Sequence, residues 1–152
     1  MVDLDVANFE EALNLDRIIE LFKDLKETPW VISYIDECCI TYASILIFGK
    51  RLTDAQKILN NGLRLAKMFN LEIFYGKIKL ILLSIDINKK NTINIESTLD
   101  EIEKIFKKYS HVLGLREVKL LRIFYYRIKY EVELMTKLNV VGKLMSGALT
   151  DP

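Results

Sequence analysis

Between its sparse breaks the chain repeats apolar residues at intervals of three and four, the spacing of a helix face, and nowhere sustains the alternation of a strand. A first helical segment is predicted over Leu4 to Lys26, as one helix or as two with Asn14 capping the second. Pro29 breaks it, and Ile32, Ile35, Cys39, Ala43 and Leu46 then mark a second helix from Trp30 to Phe48, closed by Gly49. Thr53 or Asp54 is placed to cap a third, whose broad face is Ala55, Ile58, Leu59, Gly62, Leu65, Ala66 and Phe69, ending at Asn70. The fourth, Leu71 to Ile87, is apolar around more than half its circumference and is expected to be the most buried. Asn88 to Asn94 reads as a solvated loop, and Glu96, Ser97 and Thr98 open a fifth helix carrying Leu99, Ile102, Ile105 and Phe106. A long sixth spans Leu115 to Lys137. The predicted fold class is therefore all-α, about six helices in three stacked antiparallel hairpins. Residues 1–138 are expected to form one helical-repeat domain and residues 139–152, with two glycines and no sustained period, a frayed tail.

Superposing the odd-numbered helices at an offset of 43 residues aligns Phe9, Leu52 and Ile95, then Ala12, Ala55 and Thr98, then Asp16, Leu59 and Ile102, then Ile19, Gly62 and Ile105. The even-numbered helices begin near Trp30, Leu71 and Leu113, at similar intervals. Successive hairpins of comparable length follow from that spacing.

Residues 48–70, beginning Phe48-Gly-Lys-Arg-Leu-Thr-Asp-Ala and continuing through Leu59 and Gly62, resemble the second helix of a tetratricopeptide-like repeat. Ala55 matches the alanine that seats one helix closely on its partner, Leu52 the apolar anchor before it, Leu59 the next large position and Gly62 the next small one. One extra residue between Gly49 and Ala55, a period above thirty-four and the lack of a closing proline depart from that family's pattern. A period nearer forty also keeps HEAT-like repeats in view. The resemblance implies a non-catalytic scaffold or adaptor that presents a groove to a protein partner.

Composition narrows the classes further. With 51% hydrophobic and 28% charged residues, and 42 of its 152 residues Leu or Ile, the chain is built to bury a core and still has aliphatic surface to spare. No apolar run approaches the ~18 residues of a membrane span, and the acidic opening lacks a basic leader, so a cytoplasmic location is expected. Charge is uneven: residues 1–46 carry 10 acidic and 3 basic side chains, the remainder 11 and 19. That asymmetry suits steering toward an acidic partner or head-to-tail self-association.

Candidate chemistry is thin. Cys38 and Cys39 are adjacent on a helix, with side chains about 100° apart, which suits packing better than a disulfide or a shared metal. His111 stands near a helix end, where a charged imidazole would favour the C-terminal dipole. Gly49-Lys50 lacks the surrounding glycine and hydroxyl residues of a phosphate cradle. Asp100, Glu101 and Glu103, interleaved with lysines, read as a solvated face. The chain is accordingly expected not to be an enzyme and to need no cofactor or metal.

The sixth helix is the most informative element. Val118, Leu121, Tyr125, Ile128, Val132 and Met135 share its core seam. A second apolar side, Leu120, Ile123, Tyr130 and Leu134 with Tyr126 and Arg127 at its edge, is predicted to bind another protein chain, including a second copy as a homodimer. The alternative is a nucleic-acid-associated subunit that sets Lys104, Lys107, Lys108, Lys119, Arg122 and Lys129 against phosphates.

Overall fold

Buried apolar stripes account for the helices of the computed structural model, which describes Glu20, residues 28–91 and residues 93–148. Among these, all regular structure is helical and no strand occurs. The elements are α1 (Thr28–Ser33), a π-helical segment (Tyr34–Thr41), α2 (Tyr42–Phe48), α3 (Leu52–Met68), α4 (Glu72–Asn88), α5 (Ile95–Lys108) and α6 (Val112–Ala148). The first three are continuous, so the described residues form five helices. The helix expected over Leu4 to Lys26 lies outside them except for Glu20, which is helical and exposed. Where the sequence suggests one domain over residues 1–138, contacts divide the chain after Leu82 into two compact units.

In the first unit the helix Pro29–Phe48 buries Val31, Ile35, Cys39, Ala43 and Leu46. Four-residue steps would rotate a stripe by about 40° each in a regular α-helix. The π segment, with its wider turn, offsets that rotation where the steps are consecutive. Thr41 Oγ1 donates to the Asp36 carbonyl, five residues back, at 3.0 Å. The same helix is long and apolar enough to cross a membrane by length and composition, where the sequence reading expects no such run. Asp36 and Glu37 interrupt it near its middle and are exposed, while its apolar stripe packs on α3.

On α3, Ala55, Ile58, Leu59, Gly62, Leu65 and Ala66 are all buried, as the spacing predicts. At Gly62 the backbone comes so close to its neighbours that a Cβ would lie 2.9 Å from Cys39 Cβ and 3.1 Å from Ile78 Cδ1. Arg51, rather than Thr53 or Asp54, occupies the N-cap position. Asp54 instead accepts from Arg51 Nε at 2.9 Å, an ion pair that ties the entering chain to the first turn. On α4 no residue from Leu71 to Ile87 is exposed, in keeping with its nearly continuous apolar sequence.

In the second unit Ile95, Leu99, Ile102 and Phe106 form the buried stripe of α5, packed on the face of α6 that carries Gly114, Val118 and Tyr125. The expected end of the last helix near Lys137 is incorrect. Residues 139–148, assigned to a frayed tail, continue α6, because their glycines are outnumbered by good helix formers; residues 149–152 lie outside the described residues.

Helix ends follow a cadence that the sequence pattern did not disclose. Lys50, Asn70, Lys90 and Ser110 have φ of 61°, 54°, 58° and 50° and stand twenty residues apart. At each, the residue's N–H bonds a carbonyl three back and the next N–H bonds one five back, as in Lys50 to Ile47 at 3.0 Å and Arg51 to Leu46 at 2.8 Å. Gly49, the expected helix-ending glycine, has φ −75° and leaves the left-handed position to Lys50. Buried faces share the cadence: Ala55, Leu59, Gly62 and Ala66 of α3 match Ile95, Leu99, Ile102 and Phe106 of α5 at an offset of forty. The offset of 43 aligns only the starts Leu52 and Ile95, since α5 is shorter at its N-terminal end.

Candidate protein-binding face of the last helix

The start of α6 is locked onto α5. His111 stacks on Phe106 with ring centroids 5.1 Å apart, and its Nδ1 accepts the Gly114 N–H at 2.9 Å. This bond requires an unprotonated Nδ1. His111 therefore caps the beginning of α6. A Cβ on residue 114 would lie 2.6 Å from both His111 Nδ1 and Phe106 Cδ2, so only glycine fits.

Along the packed side, α5 contributes carboxylates that meet the basic residues of α6. Arg122 donates to Asp100 Oδ1 at 3.0 Å and to Glu103 Oε2 at 2.7 Å. Lys107 reaches Glu103 Oε1 at 2.6 Å, and Lys129 lies 3.9 Å from Glu96 and 5.8 Å from the Tyr125 ring centre. The hydrogen bond from Lys107 is the main reason that the Glu103 carboxyl ionises below its ordinary range, with the charges of Lys107 and Arg122 adding to it. Desolvation works against the Arg122 charge, but the hydrogen bond and charge of Asp100, with Glu103, more than offset it and raise its pKa. Of the six cations assigned to an anionic partner, Lys107, Arg122 and Lys129 are thus turned toward carboxylates. Lys108 lies over the Tyr109 ring at 5.0 Å, and Lys104 and Lys119 are exposed.

The other side of α6 has no such cover. Leu120, Ile123, Tyr126, Arg127, Tyr130 and Leu134 are all exposed, as the two-sided pattern predicts, and Arg127 pairs within the helix with Glu131 at 3.2 Å. The expected core seam is covered only in part. Val118 and Tyr125 are buried, Leu121 and Ile128 half-buried, and Val132 and Met135 exposed. The reason is the length of α5: its first residue is Ile95, and the pair Glu96–Lys129 marks the level at which its cover ends. From Tyr130 to Gly147 every residue of α6 is exposed, including Leu138, Val140, Val141, Leu144 and Met145. Sequence periodicity alone does not show these last residues as part of the face, because it predicts that the helix ends near Lys137. A shallow groove of about 500 Å³ lies between Lys90 and Ile128–Asn139 of α6, lined by Ile128, Val132 and Met135.

The two thiols sit in different surroundings. Cys39 is fully buried, and burial pushes its thiol up to about 12; Cys38 is exposed, its pKa raised by partial burial and by the Glu37 charge. Among the described residues no group of three or more His, Cys, Asp or Glu is placed to hold a metal ion. Comparison of the chain with protein-family models, curated proteins and solved structures gives no match.

Proposed function

We propose that this chain is a non-catalytic, cytoplasmic scaffold or adaptor built of stacked helical hairpins, tetratricopeptide-like or a close relative, which works by binding another protein chain along α6. The observation that carries the reading is the row of exposed apolar residues along that helix, from Leu120 through Met145. A surface of this extent and regularity favours a protein partner over water. The twenty-residue cadence of helix ends and the forty-residue match of buried faces support the repeat part of the reading. Binding of nucleic acid ranks second, since half of its proposed cations already face carboxylates.

A photo-crosslinking amino acid in place of Ile123 tests this in cells that make the protein. Cross-linked protein partners, reduced by a second-site Leu134→Glu, are expected. A residue-123 probe that captures no protein, or captures nucleic acid instead, overturns the reading.

A further inference from the structure

The exposed side of α6 carries a heptad pattern of apolar residues. Leu113, Leu120, Leu134 and Val141 occupy a seven-residue series whose middle member is Arg127, and Ile123, Tyr130 and Leu144 stand three residues after members of that series. These seven residues are between 44 and 70% exposed. Leu120 and Arg127 lie about 200° around the helix from Val118 and Tyr125, so the heptad stands opposite the face that α5 covers. A repeat of 3.5 residues held along a helix of 37 residues is the pattern by which one helix supercoils with another of the same period. Within its own unit no described helix occupies that side.

We propose that a second copy of this chain covers the heptad, with the two α6 helices antiparallel. The inference rests on the reading of α6 as a protein-binding face and names its occupant. Three charged residues interrupt the seam: Arg116, Arg127 and Lys137. A parallel pair in register would set each against its own copy, three like-charge contacts in the centre of the interface. An antiparallel pair that sets Ile123 against Leu134 also sets Leu113 against Leu144, Arg116 against Val141, Leu120 against Lys137 and Arg127 against Tyr130. No like charges then meet. Arg127, already neutralised by Glu131, lies at the centre, where its guanidinium can stack on the partner copy's tyrosine. Sliding one heptad toward the C-terminus would bring Arg127 against Lys137. Sliding the other way would shorten the overlap and leave Val140 to Met145 in water. The chosen register overlaps the helices over about 50 Å, and it lays the uncovered C-terminal half of each α6 along the α5-supported half of the other.

Sedimentation equilibrium of the full chain, joined to disulfide trapping, decides the matter. The wild type is expected to be a dimer, and Ile123→Glu, which places two carboxylates in the seam, to raise its dissociation constant about a hundredfold or more while circular dichroism stays helical. In a Cys38→Ser, Cys39→Ala background that sediments as a dimer, the double variant Leu113→Cys with Leu144→Cys is expected to cross-link between chains under mild oxidation. Neither single variant should do so. Cross-linking by Leu144→Cys alone would show a parallel pair and overturn the proposal. A monomeric wild type overturns it as well: if the residue-123 probe then still captures a different protein, the binding-face reading stands and only the second copy is lost, whereas no capture removes both.

Discussion

The junction of α5 and α6 gives a prediction whose sign opposes ordinary helix propensity. Replacing a helix-interior glycine by alanine at an open site stabilises by about 1 kcal/mol, through the lower entropy of the unfolded chain and the better helical preference of alanine. Gly142, with nothing within 4 Å of its would-be Cβ, should show part of that gain, reduced by its position near the helix end. Gly114 should do the reverse. Its Cβ would lie 2.6 and 2.7 Å from two carbons of the Phe106 ring, against the 3.5 to 4.0 Å of ordinary contact, so the ring would have to retreat by about 1 Å. Phe106 is fully buried and has no open side to retreat into. Overpacking of this kind costs about 1 to 3 kcal/mol, and displacing the Gly114 N–H from His111 adds about 1 kcal/mol. After the propensity gain, Gly114→Ala is expected to be less stable than wild type by about 1 to 3 kcal/mol. Urea unfolding followed by circular dichroism measures both variants, and Phe106→Leu in the Gly114→Ala background should recover part of the loss. Gly114→Ala as stable as Gly142→Ala would refute the close approach of α6 to α5.

Lys50→Gly should stabilise by roughly 0.5 to 1 kcal/mol in thermal unfolding, since a left-handed lysine pays a steric penalty that glycine avoids. Cys38 should react with a soluble disulfide reagent well before Cys39. Because the folded Cys39 thiol is held up to about 12, the unfolded chain loses its proton first, and stability should fall as pH rises from about 9, less steeply in Cys39→Ala. The Glu103 carboxyl, followed by carbon NMR, should titrate below the ordinary range and move up in Lys107→Ala; its stabilising contribution is present above the ordinary carboxylate pKa and is lost as pH falls through the depressed one.

What could be read from the sequence was what neighbouring residues decide. The burial of Ala55 through Ala66 and the near-complete cover of α4 follow from apolar spacing within one helix, and both were legible. The left-handed turns were not, because three of the four use Lys or Ser, which carry no turn signal, while the visible Gly49 stands one residue early. His111 was misread for a related reason: whether an imidazole ends one helix or begins the next depends on Gly114, three residues later, and on the Phe106 ring beneath it. The α6 pattern showed two apolar sides but not where the cover of the first one stops. That limit is set by where α5 begins, and Val132 and Met135 are spaced like core residues with nothing from α5 left to meet them.

The principal helix contacts among the described residues join elements that follow one another in the chain, an arrangement of low contact order. Such chains fold quickly, each helix finding its partner as soon as the next turn is made, and can do so while synthesis continues. For α6 this sets an order of events. Its α5-facing half has a partner waiting when it leaves the ribosome, whereas the half beyond Lys129 emerges with none among the described residues of its own unit. In the proposed pairing its apolar residues then stay open for a time fixed by encounter with a second copy, so their protection would depend on protein concentration, and a cell that makes this chain slowly would keep that surface open longest.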